Sequence, residues 1–283
     1  MKRWRLDLRL TLLAIVTVLF LSACTNKLAY NTLPFWIDFY LSDYVDMTST
    51  QQKQLDQDLD AFHAWHRQNE LPNIRALLES MENQLETPLS YSEINSYHGV
   101  VNQTILASLY GLTPALANLI ASLSDEQAEQ WLKTIQTNVD EAVEKANEGS
   151  PKEQLARRQA TLSERAEYWI DTVNKKQSDQ FKEMASYQIE MRPVFYSIRN
   201  GLFEELTLIF EERDDPALEQ RLNAYFAKLV VFKSDDFQSD MSLYLARRYE
   251  LLQRMDKHLT QKQRKALRNT LASLSDDLGA LEN

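Results

Sequence analysis

Cysteine is nearly absent from this chain: Cys24 is the only one in 283 residues, so no disulfide can form within it and stability must come from packing. Glycine is scarce too, with five in all (Gly99, Gly111, Gly149, Gly201, Gly279). None lies in a Gly-rich phosphate loop or a Gly-x-Ser-x-Gly nucleophile elbow. No run shows the strict alternation of β-branched residues that a half-buried strand needs. Basic residues are outnumbered, 31 Lys and Arg against 41 Asp and Glu for a net charge of −10. That balance argues against a nucleic-acid partner, because binding phosphates requires a basic footprint.

What is present begins at the N-terminus. Lys2, Arg3, Arg5 and Arg9 precede an apolar stretch from Leu10 to Leu21, and Leu21-Ser22-Ala23-Cys24 follows. The stretch covers about 18 Å as a helix, short of the ~30 Å hydrocarbon core, and fits the apolar region of a secretory signal better than a membrane span. The run ending at Cys24 resembles the lipobox of bacterial lipoproteins. The resemblance implies cleavage between Ala23 and Cys24 and a multiply acylated, palmitate-bearing cysteine, which excludes a cysteine nucleophile. It brings with it the sorting rule that Asp after the cysteine retains a lipoprotein in the inner membrane. Thr25-Asn26 stands there instead, which implies the outer membrane, periplasmic face. Several acyl chains anchor stably where one does not. Residues 1–23 are thus expected to be a signal peptide, 24–33 a lipidated tether and 34–283 a helical body. Removal of the leader takes four of the 31 basic and one of the 41 acidic residues, leaving 260 residues with net charge −13, 27 against 40. So acidic a surface discourages docking on anionic headgroups and leaves attachment to the lipid.

Long stretches rich in Ala, Leu, Glu, Gln, Lys and Arg, with apolar residues at three- and four-residue spacing, predict an all-α, bundle-like domain of about ten helices. The breaks predict helices near 34–45, 49–69, 72–86, 90–110, 114–122, 124–147, 151–191, 193–213, 216–232, 236–257 and 260–278. Pro34, Pro72, Pro114, Pro151 and Pro216 are placed at helix starts, where a missing N–H costs little, and Pro193 is expected to kink or split a long helix. Asn147-Glu148-Gly149-Ser150-Pro151 is the best interior linker and a possible subdivision point. Lys175 to Gln180 reads as a solvated helical stretch interrupting an apolar stripe.

One local pattern recurs. Met47-Thr48-Ser49-Thr50-Gln51, Leu123-Ser124-Asp125-Glu126-Gln127 and Leu259-Thr260-Gln261-Lys262-Gln263 share it, and Leu89-Ser90-Tyr91-Ser92-Glu93 has Glu in place of Gln. Each is a capping box: the hydroxyl accepts from the N3 amide while Gln or Glu reaches back to the N-cap amide. The runs also resemble the Leu-Thr-x-x-Gln motif of small periplasmic chaperone-like stress proteins. Capping alone accounts for residues that any helix start prefers.

The densest polar constellation runs from Asp56 to Pro72. There His63, His66 and Glu70 are expected along one side of a helix, with Arg67 beside them. Two imidazoles and a carboxylate suit a divalent metal, but His-Glu-x-x-His is absent and no third distant ligand announces itself. The alternative is a polar interaction face of His63, His66, Arg67 and Glu70, with Trp65 turned into the core. No catalytic residue, firm metal ligand or cofactor other than the lipid on Cys24 emerges. The order lipobox, Leu28-Ala29-Tyr30-Asn31, Trp36, Asp43-Tyr44-Val45-Asp46, His63-Ala64-Trp65-His66-Arg67, Glu70-Leu71-Pro72 resembles an uncharacterised family of proteobacterial lipoproteins catalogued as a domain of unknown function. The resemblance implies a lipid-anchored helical protein and supplies no catalytic residues.

Phe35, Trp36, Ile37, Phe39, Tyr40, Leu41, Tyr44 and Val45 surround a thin polar stripe. Such a helix either settles among lipid headgroups or folds onto the core, and the width of the apolar face together with the missing Lys and Arg favours the core. The expected function is a non-catalytic, protein-binding envelope lipoprotein with a partner in the periplasm. A chaperone-like or stress module and a metal-binding protein using His63 and His66 are the alternatives.

Overall fold

Six helices among the described residues begin where a hydroxyl or amide side chain meets a Gln or Glu three residues on. The computed structural model describes residues 30–282, and among them the regular structure is entirely helical. Ten helices follow in order: α1 (Leu33–Ser42), α2 (Ser49–Gln84), α3 (Tyr91–Ala121), α4 (Asp125–Asn147), α5 (Pro151–Ile170), α6 (Lys175–Glu190), α7 (Arg192–Glu211), α8 (Leu218–Val231), α9 (Gln238–Lys257) and α10 (Gln261–Glu282). The signal peptide, the cleavage site at Ala23 and Cys24, and the tether up to residue 29 lie outside the described residues.

The capping boxes at Thr48, Ser90 and Ser124 form as the pattern predicts. At Thr260 the Gln263 amide donates to Oγ1 (3.2 Å) and the Thr260 amide to Gln263 Oε1 (3.0 Å). Two further boxes, Ser150 with Glu153 and Asn174 with Gln177, escaped the apolar-Thr/Ser pattern.

The glutamines of these boxes do more than cap. Gln51 and Gln127 exchange Nε2-to-Oε1 hydrogen bonds at 2.9 Å, and each also reaches a carbonyl in the turn before the other's helix, Ser122 and Asp46, at 2.7 Å. Gln177 and Gln263 repeat the device, at 3.0 and 2.8 Å, and Gln263 Nε2 donates to the Thr172 carbonyl at 2.7 Å. Both members of this second pair are buried, Gln177 at 1% and Gln263 at 4% exposure. Two interlocks therefore clamp the start of α2 to that of α4, and the start of α6 to that of α10. Each puts helix-start donors and loop carbonyls that would otherwise lack partners into one closed network.

α2 is the spine. It lies between α10 and α3, and α3 in turn packs against α8 and α9. Leu55, Leu59, Phe62, Leu71 and Leu78 of α2 face inward, as the helical period requires. They join one apolar cluster that also holds Trp131, Ile135 and Val139 of α4, Ile209 and Phe210 of α7, Leu222 of α8 and Leu271, Leu274 and Leu278 of α10. That cluster draws on both sides of residues 147–151. The linker itself is a tied turn: Gly149 takes φ +75°, Gln154 Nε2 donates to the Asn147 and Gly149 carbonyls, and Arg157 donates to the Glu148 carbonyl. The α5–α6 hairpin then packs on α10.

Several expected boundaries are corrected. Pro72 and Pro114 do not open helices but sit inside α2 and α3. Buried Leu71 and Leu78 around the first, and Thr113, Ala115 and Ala117 around the second, keep the helix packed despite the lost hydrogen bond. The expected helix at 151–191 is two helices separated at Asp171–Asn174, with Asp171 at φ 71°. Lys175–Gln180 is the beginning of α6 and not a solvated interruption, since Gln177 and Gln180 are buried. Pro193 sits in the first turn of α7, so that long helix is divided as expected. α3 is long and apolar enough to cross a membrane by composition, yet it is flanked here by α2, α8 and α9.

Candidate functional site at the histidine helix

The middle of α2 holds the residues that the polar constellation singled out, but they do not share one exposed face. His66 and Glu70 are buried, at 2% and 7% exposure, while His63 and Arg67 are half-buried. The burial has a specific partner: the segment that enters the body just before α1. Tyr30, 1% exposed, donates its hydroxyl to His66 Nδ1 at 3.0 Å. Its ring meets the His63 imidazole at a centroid distance of 4.7 Å. Arg67 lies over the same ring at 5.6 Å and donates to Asn31 Oδ1 at 2.7 Å. Three of the four constellation residues thus hold Tyr30-Asn31 as a latch.

The proton positions follow from the partners. Burial pushes the Tyr30 phenol up to about 12, and the direction of its bond to Nδ1 follows from the other side of the ring. Ser108 Oγ donates to the Thr104 carbonyl at 3.2 Å, as α-helical serines often do. The 3.2 Å contact between His66 Nε2 and Ser108 Oγ therefore runs from nitrogen to oxygen. A Ser–His pair at this distance resembles an activated nucleophile, but an imidazole already protonated on Nε2 cannot take the serine proton. Burial, and then the neighbouring His63, lowers the His66 pKa to about 4, so the ring is neutral at physiological pH. Both ring nitrogens are engaged, and a metal would have to break one of these hydrogen bonds. Among the described residues no group of three or more His, Cys, Asp or Glu is placed to hold a metal ion.

Glu70 is turned toward a groove of about 600 Å³ whose walls are Phe62, Trp65, Tyr110 and Gly111, with Asp58 near it. Burial raises the Glu70 pKa above the usual carboxylate range. Trp65 packs against the core, as its position on the helix predicts, and it does so by lying across Gly111. A Cβ on Gly111 would fall 1.9 Å from Trp65 Cζ3, so only glycine permits this approach. Tyr110 remains 40% exposed at the rim. An aromatic-walled groove with two carboxylates suits a basic side chain, through cation–π contact and charge together. A larger recess of about 920 Å³ lies where the α7–α8 turn meets α3, and its Arg213 is already committed to the Leu123 carbonyl and to Asp125.

Other groups escaped sequence reasoning. His98 of α3 is hydrogen-bonded through Nδ1 to the Tyr249 hydroxyl of α9 at 2.7 Å. Tyr30, the centre of the latch, gave no signal beyond its place in the Leu-Ala-Tyr-Asn run. A lone tyrosine in a tether has no periodicity to reveal it. The aromatic helix α1 divides its face. Leu33 and Ile37 are buried as expected of a core helix, but Phe35, Trp36 and Phe39 stay 59%, 39% and 47% exposed.

Residues 43–238 match the model of a family of unknown function, DUF6279. The match takes in more than half of the chain, and the chain belongs to that family. No characterised protein and no solved structure matches it.

Proposed function

We propose that this member of DUF6279 is a proteobacterial lipoprotein, anchored through acylated Cys24 to the outer membrane, whose periplasm-facing helical body is a non-catalytic protein-interaction module of the envelope. The observation that carries this reading is the latch. The body spends its densest polar cluster on gripping Tyr30-Asn31, six residues after Cys24, so a lipid on that cysteine would lie within about 21 Å of a fixed point of the fold. The groove of Phe62, Trp65 and Tyr110 with Asp58 and Glu70 is the surface we assign to a basic protein segment. The acidic balance of the chain favours such a partner.

A photo-crosslinking residue in place of exposed Tyr110, in cells, tests the proposal. Discrete adducts with an envelope protein are expected, and they should weaken when Asp58 is changed to Lys. Adducts no different from those formed at an exposed site on α5 would refute the assignment. The chaperone-like alternative draws on the exposed aromatics of α1. Its Leu-Thr-x-x-Gln runs already have a structural task in the two interlocks, and failure of excess protein to suppress aggregation of a denatured client would remove it.

A further inference from the structure

Three aromatic side chains of α1 point away from the body and touch one another. Phe35 meets Trp36 edge-on at 5.5 Å, Trp36 meets Phe39 at 6.0 Å, and Phe35 stacks with Phe39 at 6.3 Å. Tyr40 extends the patch beside Phe39 at 5.9 Å. The opposite side of the helix is fixed: Leu33 and Ile37 are buried, and Gln52 of α2 donates to Asp38. The patch is therefore a rigid surface and not a frayed end. Trp36 Nε1 donates to Thr32 Oγ1 at 3.1 Å, which leaves its ring apolar and its polar edge already satisfied. Contiguous exposed aromatics of this kind mark a surface that something covers.

The covalent distance says what. Cys24 is six residues from Tyr30, and Tyr30 is pinned in the core by His66. Six residues span at most about 21 Å, so acyl chains on Cys24 would hold α1 close to the bilayer they enter. α1 carries one acidic residue and no basic one (Leu-Pro-Phe-Trp-Ile-Asp-Phe-Tyr-Leu-Ser), so its attraction to lipid is not for anionic headgroups. Trp and Tyr are enriched at the headgroup level of bilayers, and Trp36, its N–H already paired with Thr32, offers its apolar ring face there beside Phe35 and Phe39.

We propose that the Phe35–Trp36–Phe39 face of α1 seats in the zwitterionic headgroup layer of the leaflet that holds the Cys24 lipid, giving the body a second, orienting contact with the membrane. This rests on the acyl anchor proposed above.

The test uses the full lipidated protein in phosphatidylcholine vesicles whose lipids carry bromine near the top of the acyl chains. Flotation and the mass of the N-terminal peptide report the anchor, and quenching of tryptophan fluorescence reports the seating. Expected is acylated, vesicle-bound protein whose bromine quenching falls by about half or more in Trp36→Phe, since Trp36 is the tryptophan at the lipid. Phe35→Ser/Phe39→Ser, at exposed sites that leave the fold intact by circular dichroism, should still float yet lose most of the quenching of Trp36. If the protein is acylated and floats but Trp36→Phe leaves the quenching unchanged, the aromatic seating is wrong while the anchor stands. If it is neither acylated nor vesicle-bound, the anchor is wrong and the seating falls with it.

Discussion

Replacing Gln263 with alanine removes the centre of the α6–α10 interlock. The side chain caps Thr260, accepts from Gln177 and donates to Gln177 and to the Thr172 carbonyl, all at 4% exposure. A net hydrogen bond is worth about 1 kcal/mol, and each buried group left without a partner costs about 1–3 kcal/mol. The buried Gln177 side-chain amide would be stranded, while the carbonyl of exposed Thr172 can turn to water, so the expected loss is about 2–3 kcal/mol, a sizeable part of the ~5–15 kcal/mol that holds a domain folded. For a body of this length that lowers Tm by roughly 5–10 °C. Urea unfolding of the detergent-solubilised protein, followed by circular dichroism, measures it. Glu153→Ala is the control, an exposed capping box with no interlock, and its loss should be several-fold smaller. Gln177→Ala/Gln263→Ala should be less damaging than the sum of its parts by about 1–2 kcal/mol, because the second deletion removes a group that the first had stranded. Equal losses for Gln263→Ala and Glu153→Ala, or strict additivity in the pair, would refute the interlock as a stabilising unit.

Three further outcomes follow from the same geometry. Gly111→Ala should displace Trp65, cost about 1–3 kcal/mol and shift the emission of Trp65 to the red when compared in a Trp36→Phe background. Arg264 pairs with Asp256 at 2.9 Å and donates to the Leu85, Thr87 and Asp256 carbonyls, so Arg264→Ala should cost about 3 kcal/mol in urea unfolding. His66 has a folded pKa of about 4 against 6.5 unfolded, so its contribution is present above pH 6.5 and is lost as pH falls toward 4, by about 3 kcal/mol. Glu70, shifted upward, contributes with the opposite sign, stabilising most below its unfolded pKa and less as pH rises through its folded one. His63 and His98 are shifted down by burial as well, so stability curves of His66→Gln should have a shallower acid slope between pH 6.5 and 4 than the parent, and an unchanged slope would show that His66 is not buried neutral.

Much of this molecule could be read from the chain. Helix was legible because the period of the apolar residues is 3.6 and the turn glycines are few. Four helix starts were legible because their caps are written within five residues, as at Thr48-Ser49-Thr50-Gln51. What those glutamines do afterwards was not, since Gln51 and Gln127 meet across 76 positions and only folding brings them together. Asn174 went unnoticed because the charged Lys175-Lys176 made its segment look solvated, although the neighbouring Gln177 is buried. Pro72 and Pro114 misled because local rules place proline at helix starts, while long-range packing of α2 and α3 outweighs one lost hydrogen bond. In the constellation, the residues were found but their partner was not. His66 was weighed as a ligand or a surface group, whereas Tyr30, 36 residues earlier, makes it a buried anchor point.

The chemistry of Cys24 is decided by the mass of the N-terminal peptide of the protein isolated from the cells that make it. The prediction is a chain that begins at Cys24 and carries diacylglycerol on sulfur and a further acyl chain on its amine. A chain that retains residues 1–23 with a free thiol, recovered from the soluble fraction, would contradict it.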